Sequence, residues 1–311
     1  MRCADLRETQ IETITRLTEQ GMNIVYLVSD SVSTSKVLPF MRRFPERVIN
    51  AGIAEQNLIG LASGMANAGF IPFTGNAASF LISRSAEQIK IDAGYSGANI
   101  KLNAMHTGFG YGIDGVTHHE VNDISIIRGY PSINIFVPCD GGDCEQITEY
   151  AAKYRGPVYT SFSTGNFPII TGENYRFIPG SPIQFSEGRD ITIIALGPAI
   201  HDVLEAVSLL NSKYSFDIFA LNSIRPLDNT PLLNSIKKTG LVLTVEQHST
   251  HGGCGSIAAE MIAENGTGAR LKRLGIPEGS FTHNASALYN KKAFALDSEG
   301  ISKEIQSFLG K

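Results

Sequence analysis

Short runs of apolar, β-branched residues alternate with longer amphipathic stretches along this chain, and that rhythm constrains its fold more than any other feature. In the first half the runs fall at 23–30, 47–50, 71–74, 100–106, 133–138 and 158–163, and stretches of helical periodicity lie near 6–20, 54–68, 79–93, 120–128 and 142–153. Strands separated by helices pair in parallel through crossovers, so the expected product is a mostly parallel sheet covered by helices on both faces. The rhythm breaks at 166–189, which holds Pro168, Gly172, Pro179, Gly180 and Pro182, with Gly188 before the next run. It resumes with strand candidates at 191–196, 216–221, 241–246 and 271–274 and helices near 199–210, 230–238, 256–264 and 301–309. The expectation is an α/β chain of two domains in series, 1–170 and 190–311, joined by a linker over 171–189. The length of 311 residues gives each domain a core of its own.

Composition narrows the function. With 42% hydrophobic and 18% charged residues the balance is that of a soluble globular protein. A net charge of −4 leaves no basic footprint for nucleic acid or an anionic membrane surface, and no apolar run reaches the roughly 18 residues that span a bilayer. The opening Met1-Arg2-Cys3-Ala4-Asp5-Leu6-Arg7-Glu8 is too charged for a secretory signal, and Cys3, Cys139, Cys144 and Cys254 have no metal-ligand or redox spacing. The expected location is therefore a reducing cytoplasm. No Gly-x-Gly-x-x-Gly turn follows the first strand, which argues against a nicotinamide-dependent oxidoreductase.

Two segments carry candidate chemistry. In 47–57 a strand ends near Gly52 and a helix begins at once, which places Glu55 in the first helical turn at the carboxyl edge of the sheet, where open α/β sheets bind ligands. Gly60 and Gly64 follow on one face of that helix, a spacing that permits close approach of another backbone. In 106–119, Gly108, Gly110 and Gly112 alternate, with Gly115 close behind; the loop presents Asp114, Thr117, His118 and His119, and His106 stands at the strand end. Imidazoles beside a carboxylate suit proton transfer and hydroxyl recognition. No partners stand at metal-ligand spacing, so no metal site is expected in this chain.

These segments resemble the transketolase family. Gly52-Ile53-Ala54-Glu55-Gln56 is similar to its glutamate signature, and Asp114-Gly115-Val116-Thr117-His118 to its Asp-Gly-x-Thr-His motif. Pro72, Phe80, Arg84 and Glu87-Gln88-Ile89 resemble the segment that walls its cofactor pocket. Arg225-Pro226-Leu227-Asp228, Val245-Glu246-Gln247-His248 and Gly252-Gly253-Cys254-Gly255 resemble its C-terminal domain. The resemblance implies a thiamine-diphosphate enzyme that transfers a two-carbon ketol or acyl unit, with 1–170 as the pyrimidine-binding domain and 190–311 as the transketolase-like C-terminal domain. It implies catalytic roles for Glu55, His118 and His106, cofactor contacts from Glu55, Phe80, Arg84 and Ile53, and contacts to a sugar-like substrate from Asp114, His106, His118 and Ser33. Glu55 would share a proton with the pyrimidine ring nitrogen and Phe80 would stack on the ring. Burial against that ring is expected to raise the Glu55 pKa.

The family pattern is incomplete. The Gly-Asp-Gly and asparagine pair that holds the diphosphate and its Mg2+ or Ca2+ is missing, the nearest string being Cys139-Asp140-Gly141-Gly142-Asp143 at a strand-to-helix junction. The resemblance therefore implies a partner, an N-terminal transketolase subunit carrying those groups, in an α2β2 assembly. Arginines that grip a sugar's terminal phosphate in the family are expected to be replaced by Thr164, Thr107 and Asn222, unless Arg84 or Arg128 substitutes. The rival readings are the β subunit of a 2-oxoacid dehydrogenase complex, which shares cofactor and glutamate, and a non-catalytic assembly subunit.

Overall fold

The computed structural model describes residues 2–210 and 214–310, and in it the apolar runs pair as expected. The strands are β1 (Cys3–Asp5), β2 (Ile24–Val28), β3 (Val48–Asn50), β4 (Ile71–Ala77), β5 (Lys101–Thr107), β6 (Asn134–Phe136), β7 (Val158–Ser163), β8 (Asn166–Pro168), β9 (Ile183–Ser186), β10 (Ile191–Leu196), β11 (Phe216–Leu221), β12 (Ser223–Arg225), β13 (Leu241–Ser249) and β14 (Arg270–Ile276). The first sheet runs β12-β6-β7-β5-β4-β2-β3 and the second β14-β13-β10-β11-β9. Every pairing in them is parallel except β12 with β6 and β9 with β11, both at edges. Central strands such as β2, β10 and β11 are buried at every position, as a sheet covered on both faces requires. The covering helices are α1 (Leu6–Glu19), α2 (Leu38–Arg43), α3 (Glu55–Asn67), α4 (Ala78–Arg84), α5 (Ala86–Gln88), α6 (Asp123–Arg128) and α7 (Gly141–Lys153) in the first half. In the second they are α8 (Ala199–Ser208), α9 (Thr230–Thr239), α10 (Cys254–Glu264), α11 (Ala287–Ala293) and α12 (Ser298–Leu309).

The two halves are stitched together more closely than a linker reading implies. Within the first half β8 returns to pair antiparallel with β1, while β9, inside the expected 171–189 linker, is the edge strand of the second sheet. After β11 the chain crosses back to add β12 to the first sheet. The Arg225 guanidinium pins it there, donating to the carbonyls of Arg128, Tyr130 and Ile133 at 2.6, 2.6 and 3.2 Å. Proline and glycine density marks where regular repetition stops, yet an edge strand needs only a few residues.

Two helices are shorter than their apolar periodicity predicts. The stretch 79–93 breaks at Ser85, and beyond α5 the backbone widens into a π-helical turn, Ile89–Tyr95. The stretch 120–128 is helical only from Asp123, because the backbone of Glu120 bridges to Thr107 and Gly108 and its carboxylate accepts from Asn122 N at 2.7 Å.

The Cys139–Asp143 string has a structural use. Asp140 caps α7 by accepting from Asp143 N and also accepts from the amides of Ile170 and Thr171 and the Thr171 hydroxyl, at 2.7–2.9 Å. It is fully buried, so truncation orphans several donors at once. Asp140→Ala is expected to cost about 3 kcal/mol of stability, read from urea unfolding midpoints at unchanged slope.

Candidate active site

The carboxyl ends of β2, β4 and β5 converge on the start of α3, and the site is built there. Glu55 is the first residue of α3 and only 2% exposed. One carboxylate oxygen accepts from the Asn76 amide at the end of β4 (3.2 Å), the other from Arg84 Nη1 in the last turn of α4 (2.6 Å). The break at Ser85, whose hydroxyl donates to the Leu81 carbonyl, ends α4 at Arg84. The guanidinium lies 4.7 Å over the Phe80 ring and reaches back to Glu55. Ser29, Asp30, Ser31 and Thr34 from the loop after β2, Ile53, and Tyr111, Asp114 and His118 from the glycine loop complete a cleft of about 430 Å³.

In the free chain the Glu55 carboxyl sits below its usual range. Burial pushes this carboxyl up, but the hydrogen bonds and charge of Arg84 and the bonds from Asn76 and the backbone outweigh it and hold it below 4.5. A depressed folded-state pKa contributes stability above the unfolded value and loses it as pH falls through the folded one. Arg84→Met is expected to raise the Glu55 titration midpoint, followed by 13C-carboxyl NMR. An unchanged midpoint would show that Asn76 and the helix start suffice.

At the end of β5 stands His106, in the left-handed region at φ +63°. Its Nε2 lies 2.6 Å from Arg7 Nη1 and its Nδ1 2.6 Å from the Thr164 hydroxyl. Burial and the charge of Arg7 pull its pKa down to about 4, so it stays neutral at physiological pH. Arg7 is buried and paired bidentately with Asp5 at 3.1 and 2.6 Å. His118 packs edge-on against Phe80 and Tyr111, at 5.1 and 5.2 Å between centroids.

Glu55, Ile53, Phe80, Arg84, Asp114 and His118 thus share one cleft, and His106 stands behind its wall. Ser33 does not join them. It is exposed on a separate groove between α1 and α2, because the residues after β2 turn Ser31 and Thr34 inward instead. Thr107 is buried beside the second domain, and Asn222 is buried against Asp143 and Tyr175. Arg128 is spent on the Gly252 carbonyl and Glu260. A Cβ added at Gly60 or Gly64 would meet nothing within 4 Å among the described residues. Asn76, Thr34, Tyr111 and Arg7 were not foreseen. Asn76 lies two residues past the expected end of its strand, and Arg7 carries no local signal because its partner His106 is 99 positions away. Among the described residues no group of three or more His, Cys, Asp or Glu is arranged to hold a metal ion.

Comparison with known proteins decides the family. Residues 4–169 match the transketolase pyrimidine-binding domain and residues 182–301 the transketolase C-terminal domain. The chain belongs to the transketolase family. Among transketolase relatives it is 38% identical to one subunit of the apulose-4-phosphate transketolase of Actinobacillus succinogenes, over 95% of this chain and 96% of that one. It is 31% identical to the 6-deoxy-6-sulfo-D-fructose transketolase subunit SqwH of a Clostridium species, over 95% and 92%. A solved split-gene transketolase, described as an inactive β4 tetramer, superposes with a TM-score of 0.86 at 30% identity, covering 99% of this chain and 98% of that one. The expected two-domain α/β fold and the transketolase-like transferase class are borne out, and the 2-oxoacid dehydrogenase reading is not favoured. No helix among the described residues is long and apolar enough to cross a membrane, and no disulfide joins the four cysteines.

Proposed function

We propose that this chain is the pyrimidine-binding and C-terminal subunit of a two-component, thiamine-diphosphate-dependent transketolase that moves a two-carbon ketol unit to a carbonyl acceptor. The observation that carries this reading is the buried Glu55 carboxylate facing a cleft beside an amide and an aromatic face. That donor set fits an aminopyrimidine, which needs a carboxyl group at a ring nitrogen and a flat apolar wall. When bound, thiamine diphosphate supplies the electron sink by which a C–C bond beside a carbonyl is broken and made. Arg84 favours the ionised form of Glu55, so this carboxylate would be the group that accepts a hydrogen bond from the pyrimidine ring. Phe80 would supply the aromatic wall for that ring, with Ile53 on the same cleft. Asp114 and His118, on the same cleft, bind hydroxyls near the reacting carbonyl.

The diphosphate and its Mg2+ or Ca2+ belong to an N-terminal partner subunit, and the assembly is α2β2, resident in the cytoplasm. The first domain takes 1–170 and the second begins with β9, so the joining segment is shorter than 171–189. Among the relatives the substrate names carry a phosphate in one case and a sulfonate in another, so the far end of the substrate varies within the family. Here the Thr164 hydroxyl is bonded to His106, and Arg7 has bonds to Asp5, Thr34 O and His106 already in place, so an uncharged or modified acceptor end fits best. The test supplies the complex of this chain and its partner with a ketose donor and an aldehyde acceptor. A product two carbons longer than the acceptor, formed only with thiamine diphosphate, is expected; no such product from any aldose would overturn the reading.

A further inference from the structure

The cleft wall between its two ends is a ladder of rings. The Arg84 guanidinium lies over Phe80, Phe80 meets His118, His118 meets Tyr111, and Tyr111 lies on His106 with centroids 4.5 Å apart and planes at 32°. Phe80, His118 and Tyr111 line the cleft, whereas His106, Arg7 and Thr164 do not. The polar group behind Tyr111 is closed on itself. A guanidinium only donates, so Arg7 donates to His106 Nε2; the proton of the neutral ring is then on Nδ1 and is donated to the Thr164 hydroxyl. Neither imidazole nitrogen is left for a substrate, which removes His106 from direct proton transfer.

The backbone fixes where Tyr111 sits. A Cβ on Gly110 would stand 2.6 Å from the Thr164 hydroxyl oxygen and 2.8 Å from the His106 Cα, so the loop is in close contact just before the tyrosine. Just after it, His119 Nε2 bonds the Gly112 carbonyl at 2.8 Å while Nδ1 is held at 2.7 Å by Thr282 of the second domain. Gly115, at φ +70°, lies under Asn284, where any side chain would collide with the amide.

We propose that Tyr111 is a specificity-determining residue that screens the Arg7–His106 pair from the cleft and so selects against a terminal oxyanion, phosphate or sulfonate, on the substrate. A phenol face offers stacking to the substrate's far end, where an exposed Arg7 would offer the charge-assisted hydrogen bond of its remaining Nη2 proton. This rests on the transketolase reading for the site but on the ring geometry for its sense.

The test uses the parent chain, Y111F, Y111A and Y111L in two measurements. In the complex, kcat/KM is compared for glyceraldehyde 3-phosphate and glyceraldehyde with a common ketose donor. Y111A and Y111L are expected to raise the ratio by at least about tenfold, the scale of one charge-assisted contact, while Y111F keeps the parental ratio. On the full chain alone, calorimetric titration with inorganic phosphate is expected to show binding at least about tenfold tighter in Y111A and Y111L than in the parent. That gain should vanish when Arg7→Met is added. Ratios and phosphate affinities within about twofold of the parent in both small variants, with melting temperatures preserved, would overturn the proposal. If the parent complex transfers no ketol unit, the functional reading falls and the phosphate titration still decides the role of Tyr111.

Discussion

Glu55→Gln is expected to lower turnover of the reconstituted complex by at least about a hundredfold, the usual scale of a lost proton-transfer contribution. The amide keeps nearly the shape of the carboxylate, and the Phe80 wall is untouched, so assembly and cofactor affinity should change little by comparison. What is lost is an ionised acceptor held in place by Asn76 and Arg84. An amide has one acceptor oxygen and cannot draw a proton towards the ring nitrogen as a carboxylate does. Its NH2 would also face the Arg84 guanidinium or the ring nitrogen as a donor. Because Arg84, Asn76 and the backbone outweigh burial and hold the Glu55 carboxyl below its usual range, the parent should show no Glu55-dependent loss of activity across the neutral range. Turnover of the glutamine variant within a few fold of the parent would place the proton-directing role on another group.

The isolated chain is expected to have no measurable turnover and to bind thiamine diphosphate at least about a hundredfold more weakly than the complex does, a difference of about 2.7 kcal/mol. On the proposed reading the cleft residues address a pyrimidine ring, and a diphosphate with two or three negative charges needs a metal ion and backbone donors as well. The rim fits a surface made to be covered. Ile53, 75% exposed, lines the cleft, and Ile113 and Val116, 75% and 51% exposed, stand on the glycine loop that supplies its Tyr111, Asp114 and His118. Titration of the chain with cofactor and Mg2+, before and after adding the partner, measures both states. Tight magnesium-dependent binding by the chain alone would end the two-component reading.

Much of this was legible in the residues themselves. Alternating apolar runs and helical stretches fix a parallel sheet because crossovers allow little else, and β2, β4, β5, β7, β10, β11 and β13 lie where those runs are. Glu55 and the 106–119 loop were legible because both sit at strand ends, where short-range sequence signals coincide with the edge at which such sheets bind ligands. The strand β12 was not, since three residues that cross to another sheet carry no periodicity; Arg225 holds them through carbonyls about 92–97 positions away.

Side-chain direction and charge state were decided only by the fold. Whether Ser33 or Thr34 faces the cleft turns on one residue of loop register, which composition cannot encode, and the structure chose Thr34. Burial alone would raise the Glu55 pKa, and a sequence reader can infer burial. The guanidinium that reverses the sign arrives from 29 residues away because α4 ends at Arg84. In the same way His106 has the composition of an acid–base group, yet Arg7, 99 positions distant, and Thr164, 58 positions distant, occupy both its nitrogens. Periodicity and strand-end position are local and survive in one dimension. Hydrogen-bond partners and ion pairs act over about 3 Å between segments far apart in the chain, and only the packed structure brings them within that range.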